Sequence, residues 1–344
     1  MSNANPRFQD SAIRISEVRL DVPRAHHHTA LPESRSIWQA LRGGGDMSRR
    51  VTLLAIASAL TLVSILGCTP SMSQRALEDA IVYQPRPYPE GNWQTNSALE
   101  DAWFESEDGS RLHGWFAEAQ QPRAVVLYAH GNAGNVTDRL PVLHLFRDRL
   151  HTSILVFDYR GYGRSEGTPS EEGVLADARA ARRWLAARTK VPEQDIVLAG
   201  HSLGGAVAVD LAAKDGASGL ILESTFTSLP DTAARHFPLV PVRLMMRNRL
   251  DSYSKIPSYQ GPLLQVHGEA DRIVPYALGR KLFGAANDPK WFVAVPGGGH
   301  NDPPSREYIE ALDRFFTILP SYKLAAAPLN AAAVNTPVSS VTAR

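Results

Sequence analysis

A serine set between glycines, Gly200-His201-Ser202-Leu203-Gly204 in the run LAGHSLGG, is the most chemically suggestive spacing in the chain. Glycine two positions to either side permits a turn too tight for a Cβ, and such a turn lifts the serine hydroxyl clear between a strand and a helix. The flanks match that setting, because the apolar run DIVLAG precedes the serine and the helix-patterned SLGGAVAVDLAAK follows it. A hydroxyl is a weak nucleophile at neutral pH, so acyl transfer through it needs a base to take its proton and an acid to orient the base. One chain order that meets this need is serine first, then Asp or Glu, then His. HGEADRIVP places Asp271 just beyond the run PLLQVHG, and VPGGGHND places His300 just beyond WFVAV. Gly297, Gly298 and Gly299 leave the backbone free to bring that imidazole over Ser202.

Other residues compete for these roles. Glu269 shares a loop with Asp271 and is the rival acid, whereas Asp302 follows the base instead of preceding it. His201 adjoins the serine but must leave the turn in another direction, so it reads as a packing residue. His130 and His267 each stand before a glycine at the end of an apolar run and read as structural. A tetrahedral oxyanion needs hydrogen-bond donors. The backbone N–H of Leu203 is one candidate, and that of Asn132, in HGNAGN after RAVVLYA, is the second. GNAGN has neither the spacing nor the lysine of a phosphate-binding P-loop. Asn135-Val136-Thr137 matches a glycosylation sequon for which no use is expected.

The elements that must position these groups follow from the pattern. RAVVLYA, SILVFDY, DIVLAG, GLILES, PLLQVHG and WFVAVPG are nearly continuous apolar runs, as strands buried on both faces require. Between them SEEGVLADARAARRWLAAR puts Val174, Ala178, Ala181 and Leu185 on one helical face. EDAWFES and RLHGWFAEA, joined by EDGS, read as an antiparallel hairpin at a sheet edge. Alternating strands and helices predict an α/β fold with a mostly parallel, doubly wound sheet, helices on both faces and ligands at the carboxyl ends of the strands. This is one domain over residues 81–319, with a small cap expected at 225–261. In that cap Phe237, Leu239, Val240, Leu244, Met245 and Met246 either line an acyl pocket or pack on the core, and Arg243, Arg247 and Arg249 face solvent, anionic lipid or a carboxylate.

A net charge of +1 excludes the basic excess of a nucleic-acid binder. A single cysteine, Cys68, excludes an internal disulfide and a multi-thiolate zinc site. Residues 1–46 lack periodicity, and their triplet His26-His27-His28 has no partners that make it a metal site. Arg49 and Arg50 then lead into VTLLAIASALTLVSILG, which is shorter than the ~20 residues of a membrane span and has the layout of a secretory signal. Ile65-Leu66-Gly67-Cys68 resembles the bacterial lipobox, with Leu66 where a small residue is commoner. That resemblance implies cleavage before Cys68, its acylation, and a lipid-anchored protein of the bacterial cell envelope. Met47 is then the expected start, with 1–46 a start-site misassignment, 47–67 the signal, 68–80 an extended linker and 320–344 a disordered tail.

Taken in order, HGNAGN, DYRGYGRSEG, GHSLGG, HGEADRIVP and GGGHND resemble the α/β-hydrolases of the Bem and protein-depalmitoylase type, over roughly residues 80–318. The resemblance implies the α/β-hydrolase fold, a triad of Ser202, Asp271 and His300, and no cofactor or metal. The expected activity is hydrolysis of a small or lipid-like ester or thioester. A peptidase or amidase of the same fold and a non-catalytic envelope scaffold are the alternatives.

Overall fold

The computed structural model describes residues 71–94 and 99–326. Its main sheet has eight strands, numbered here β1 (Glu100–Glu105), β2 (Arg111–Ala117), β3 (Val125–Ala129), β4 (Ser153–Phe157), β5 (Val197–His201), β6 (Gly219–Glu223), β7 (Leu263–Gly268) and β8 (Lys290–Val295). They lie in the order β8-β7-β6-β5-β3-β4-β2-β1. Only the β1–β2 and β2–β4 pairs are antiparallel, so the expected hairpin forms one edge of an otherwise parallel sheet.

The sheet is buried on both faces, which is why its strands read as unbroken apolar runs rather than as alternating ones. Leu127, Leu155, Phe157, Leu198 and Leu222 point into one core. Val126, Ile154, Val156, Val197 and Ile221 point into the other. The first core is covered by Glu171–Thr189, Leu203–Asp215 and Tyr276–Ala285, and the second by Leu140–His144 and Arg306–Ala326. In Glu171–Thr189 the four residues of the expected face, Val174, Ala178, Ala181 and Leu185, are all fully buried. The Ser170 side chain accepts the Gly173 N–H to cap that helix, and Lys190 closes it in the left-handed region. Strand order reverses at β3, which has β4 on one side and β5 on the other. That switch point opens a crevice at the strands' carboxyl ends. The loops that leave β3 and β5 carry Asn132 and Ser202.

Two expected boundaries need correction. The extended linker is a helix over Ser71–Val82. Its docking rests on Glu78, whose buried carboxylate accepts the Arg247 and Asn248 backbone N–H groups and the Asn248 side-chain amide. The last helix runs past residue 319 to Ala326, because Leu312, Phe315, Phe316 and Leu319 bury a stripe that holds it to the sheet. The signal segment, Cys68, residues 1–46 and the rest of the tail lie outside the described residues. Glu78→Ala would strand two backbone N–H groups, each at a cost of about 1–3 kcal/mol. The expected result is an unfolding midpoint lowered by several °C in calorimetry.

Candidate active site

Ser202 occupies a sharp turn between β5 and the helix Leu203–Asp215, with φ 54° and ψ −117°. An L-residue adopts such angles only where its surroundings impose them. The Ser202 N–H donates to the Glu223 carbonyl at 2.8 Å. The Thr225 hydroxyl donates to the Ser202 carbonyl at 2.8 Å. Both flanking glycines are required. A Cβ on Gly200 would run into the Gly204 carbonyl, and one on Gly204 would run into the Ala129 carbonyl of β3. Leu203 begins the helix, so its N–H lacks an intrahelical partner and the helix dipole is positive at this end.

Asp271 and His300 meet. His300 Nδ1 lies 2.7 Å from Asp271 Oδ2. The rival acid, Glu269, is exposed, and Asp302 is spent on the turn, where it accepts the Gly299 N–H. Asp271 Oδ1 accepts the N–H groups of Ile273 and Val274, each at 2.8 Å. His267 Nε2 lies 3.2 Å from Oδ2 and 2.9 Å from the Val274 carbonyl. Burial alone would raise the Asp271 carboxyl's pKa, but hydrogen bonds from His267 and His300 hold it well below the usual carboxylate range. The acid is therefore a charged acceptor, and His267, read from the sequence as structural, is one of its donors.

His201 does more than pack. Its Nε2 lies 3.0 Å from the His300 carbonyl, and the two rings are 4.8 Å apart. Burial, and then the nearby His300, push the His201 imidazole down to about 3. It is therefore neutral at pH 7, with its Nε2–H donating to the backbone of His300. No local pattern signals this contact, because it joins residues 99 positions apart.

The HGNAGN loop is buttressed by DYRGYG. Tyr159 donates to the His130 carbonyl at 2.9 Å, Tyr162 donates to the Asn132 carbonyl at 2.7 Å, and Asp158 accepts the Val136 N–H at 2.7 Å. The Asn132 side-chain amide donates to the Val82 carbonyl, so the residue is fixed at both its carbonyl and its side chain. Asn135 is fully buried, and its amide donates to the Arg86 and Glu90 carbonyls, which leaves the sequon unusable in the fold. Beneath Ser202, Glu223 accepts the Tyr308 hydroxyl at 2.6 Å and the Tyr128 hydroxyl at 2.8 Å. Burial pushes its carboxyl up against the opposing pull of those two phenols.

The segment 225–261 folds as short helices, Leu229–His236, Val242–Met245 and Ser252–Lys255. His236 Nε2 lies 2.8 Å from the Ile273 carbonyl and fastens this segment to the Asp271 loop. Of the expected pocket residues, Met246 packs on the core, while Leu239 and Leu244 are 97% and 89% exposed and line no enclosed pocket.

Residues 120–256 match a family model described as serine aminopeptidase, S33. An uncharacterized protein of Mycobacterium tuberculosis (strain CDC 1551) is 38% identical over 276 residues, which span 78% of this chain and 96% of that protein. Protein bem46 of Schizosaccharomyces pombe is 33% identical over 78% of this chain and 90% of its own. Among solved structures, an esterase of Pyrococcus furiosus superposes with a TM-score of 0.56 at 20% identity, covering 70% of this chain and 99% of that one. The esterase likeness bears on fold alone. The α/β-hydrolase domain-containing protein WAV2 of Arabidopsis thaliana, 34% identical over 66% of this chain and 82% of its own, carries the further step: the chain belongs to the α/β-hydrolase family.

Proposed function

We propose that the protein is a serine hydrolase that cleaves carboxylic esters or thioesters through an acyl-enzyme on Ser202. The reading rests foremost on the Asp271–His300 hydrogen bond of 2.7 Å, formed at the carboxyl ends of the strands, where Ser202 also stands in its strained turn. With Nδ1 held by Asp271, the ring nitrogen left to receive the serine proton is Nε2. Attack on the acyl carbon then forms a tetrahedral intermediate, whose oxyanion takes the N–H groups of Leu203 and Asn132. Each donor is worth about 3 kcal/mol in the barrier. His300 returns the proton to the leaving alcohol or thiol, water repeats the cycle, and Asp271 stabilises the imidazolium in both halves. The S33 aminopeptidase match favours a second reading, cleavage of aminoacyl amides by the same groups.

The envelope tether belongs to the same proposal. Its support is the apolar run that ends at Cys68. More than one acyl chain on that residue would anchor it stably, where a single chain is marginal. No described helix is long and apolar enough to cross a membrane.

Four outcomes are expected. Ser202→Ala should lower kcat on short p-nitrophenyl esters by at least ~10³-fold with the melting curve retained. A panel of esters, thioesters and aminoacyl anilides, run on the wild type, separates the two readings, and unchanged turnover in Ser202→Ala would sink both. His201→Ala should lower kcat and leave KM nearly constant, with His201→Gln restoring most of it through an amide in place of Nε2. The sign of the pH effect follows from the folded value near 3, below the ordinary 6.5. As pH falls from 6.5 the unfolded chain takes up this proton first, so stability that is full above 6.5 drains away toward 3. A melt series should show a flatter acid limb for His201→Gln than for the wild type. Lastly, metabolic labelling with an alkyne fatty acid should tag the wild type and leave Cys68→Ser unlabelled.

A further inference from the structure

The tip of the cap combines two features that seldom share a free protein surface. Between Asp231 and Asp251 the chain holds no carboxylate but four arginines and a histidine, Arg235, His236, Arg243, Arg247 and Arg249. The same stretch carries the two most exposed large apolar side chains among the described residues, Leu239 at 97% and Leu244 at 89%. Fully exposed leucines forgo the transfer free energy that burial would recover. Two tight turns make this tip, with Val240 N–H donating to the Phe237 carbonyl and Leu244 N–H to the Pro241 carbonyl. Pro238 and Pro241 stiffen it, so the leucines are presented rather than trailing.

Among the described residues only Asp231 pairs its carboxylate with an arginine side chain of the tip. Glu78 and Glu171 spend their carboxylates on backbone N–H groups of residues 247–250. Asp251 caps its own helix, and Asp231 pairs with Arg243. The tip also has a fixed relation to the chemistry. The helix Leu229–His236 ends on His236, which holds the Ile273 carbonyl, and the Ile273 N–H holds Asp271. Ile273, on the Asp271 loop, is itself 45% exposed.

We propose that this tip docks on an anionic lipid bilayer, with Leu239 and Leu244 entering the headgroup–acyl boundary and the surrounding arginines engaging lipid phosphates. Exposed apolar residues ringed by cations are what a partition into that boundary requires. A soluble protein partner of the same chemistry would have to be both apolar and acidic at one point. A bilayer supplies both everywhere on its surface. Docking would hold the Asp271 loop against the membrane, independently of any acyl chain on Cys68 and of whether Ser202 is the nucleophile.

The test uses the full chain with Cys68→Ser and Leu244→Cys, labelled at residue 244 with an environment-sensitive dye. A second chain carries Cys68→Ser and Gln194→Cys, placing the dye just before β5, at the amino ends of the parallel strands. Phosphatidylcholine vesicles are compared with vesicles that also contain phosphatidylglycerol, with nitroxide lipids as quenchers. The expected result is a blue shift and quenching at 244 only, with partition about fivefold tighter on anionic vesicles for each arginine engaged. High salt and Leu239→Asp should each weaken the shift, while hydrolysis of a soluble ester stays at the level of the labelled parent. Equal response at 194 and 244, or none at 244, overturns the proposal. A shift without vesicles that grows with protein concentration also overturns it, and assigns the tip to a second copy of the chain.

Discussion

Everything at the crevice depends on one strained residue. Ser202 is held at φ 54° by the carbonyl of β6, by Thr225 and by two glycine contacts that bring its helix to within backbone distance of β3. Relaxing that turn would cost the fit of the helix Leu203–Asp215 on the sheet, because a Cβ at either glycine collides with main chain rather than with a side chain that could yield. The strain is thus maintained by packing in the centre of the molecule. It fixes the serine, the helix N-terminus and the HGNAGN loop as one unit.

Around this unit the polar groups are arranged in tiers. Asp271 holds His300, while His267 and two backbone N–H groups hold Asp271. His201, adjacent to the serine in sequence, holds the backbone of His300. Hence Ser202 and His300 are joined through a hydrogen bond made by the serine's own neighbour, so a shift in the turn is passed to the imidazole. Tyr159, Tyr162 and Asp158 serve the HGNAGN loop in the same manner. In each case a side chain from one strand-end loop satisfies the main chain of another, which is how irregular backbone stays ordered in a buried crevice.

The fold was legible because both of its sheet faces are buried, so its strands announce themselves as apolar runs. The meeting of Asp271 with His300 was legible for a related reason, since each follows such a run and parallel strands bring their carboxyl ends together. Legibility ended where a contact links distant segments. Nothing near His201 points to the His300 carbonyl, and nothing near Glu78 points to the N–H groups at 247 and 248, so a docked helix read as a linker. The cap was ambiguous for a different cause. Leucines and methionines at its tip have the composition of a core, and only the tertiary placement separates Met246, which is packed, from Leu239 and Leu244, which face outward.

The carboxyl group of Glu223 ties the last helix, through Tyr308, to the strand whose carbonyl holds Ser202. This has a consequence for biosynthesis. Ser202 leaves the ribosome long before His300 and Tyr308, so for about a hundred residues of translation the nascent chain contains the serine without that histidine or the final brace on Glu223. The brace that Tyr308 places on Glu223 forms only once the C-terminal helix closes over the sheet. The hydrogen-bonded arrangement around Ser202 is therefore complete only when the last helix has been made and packed.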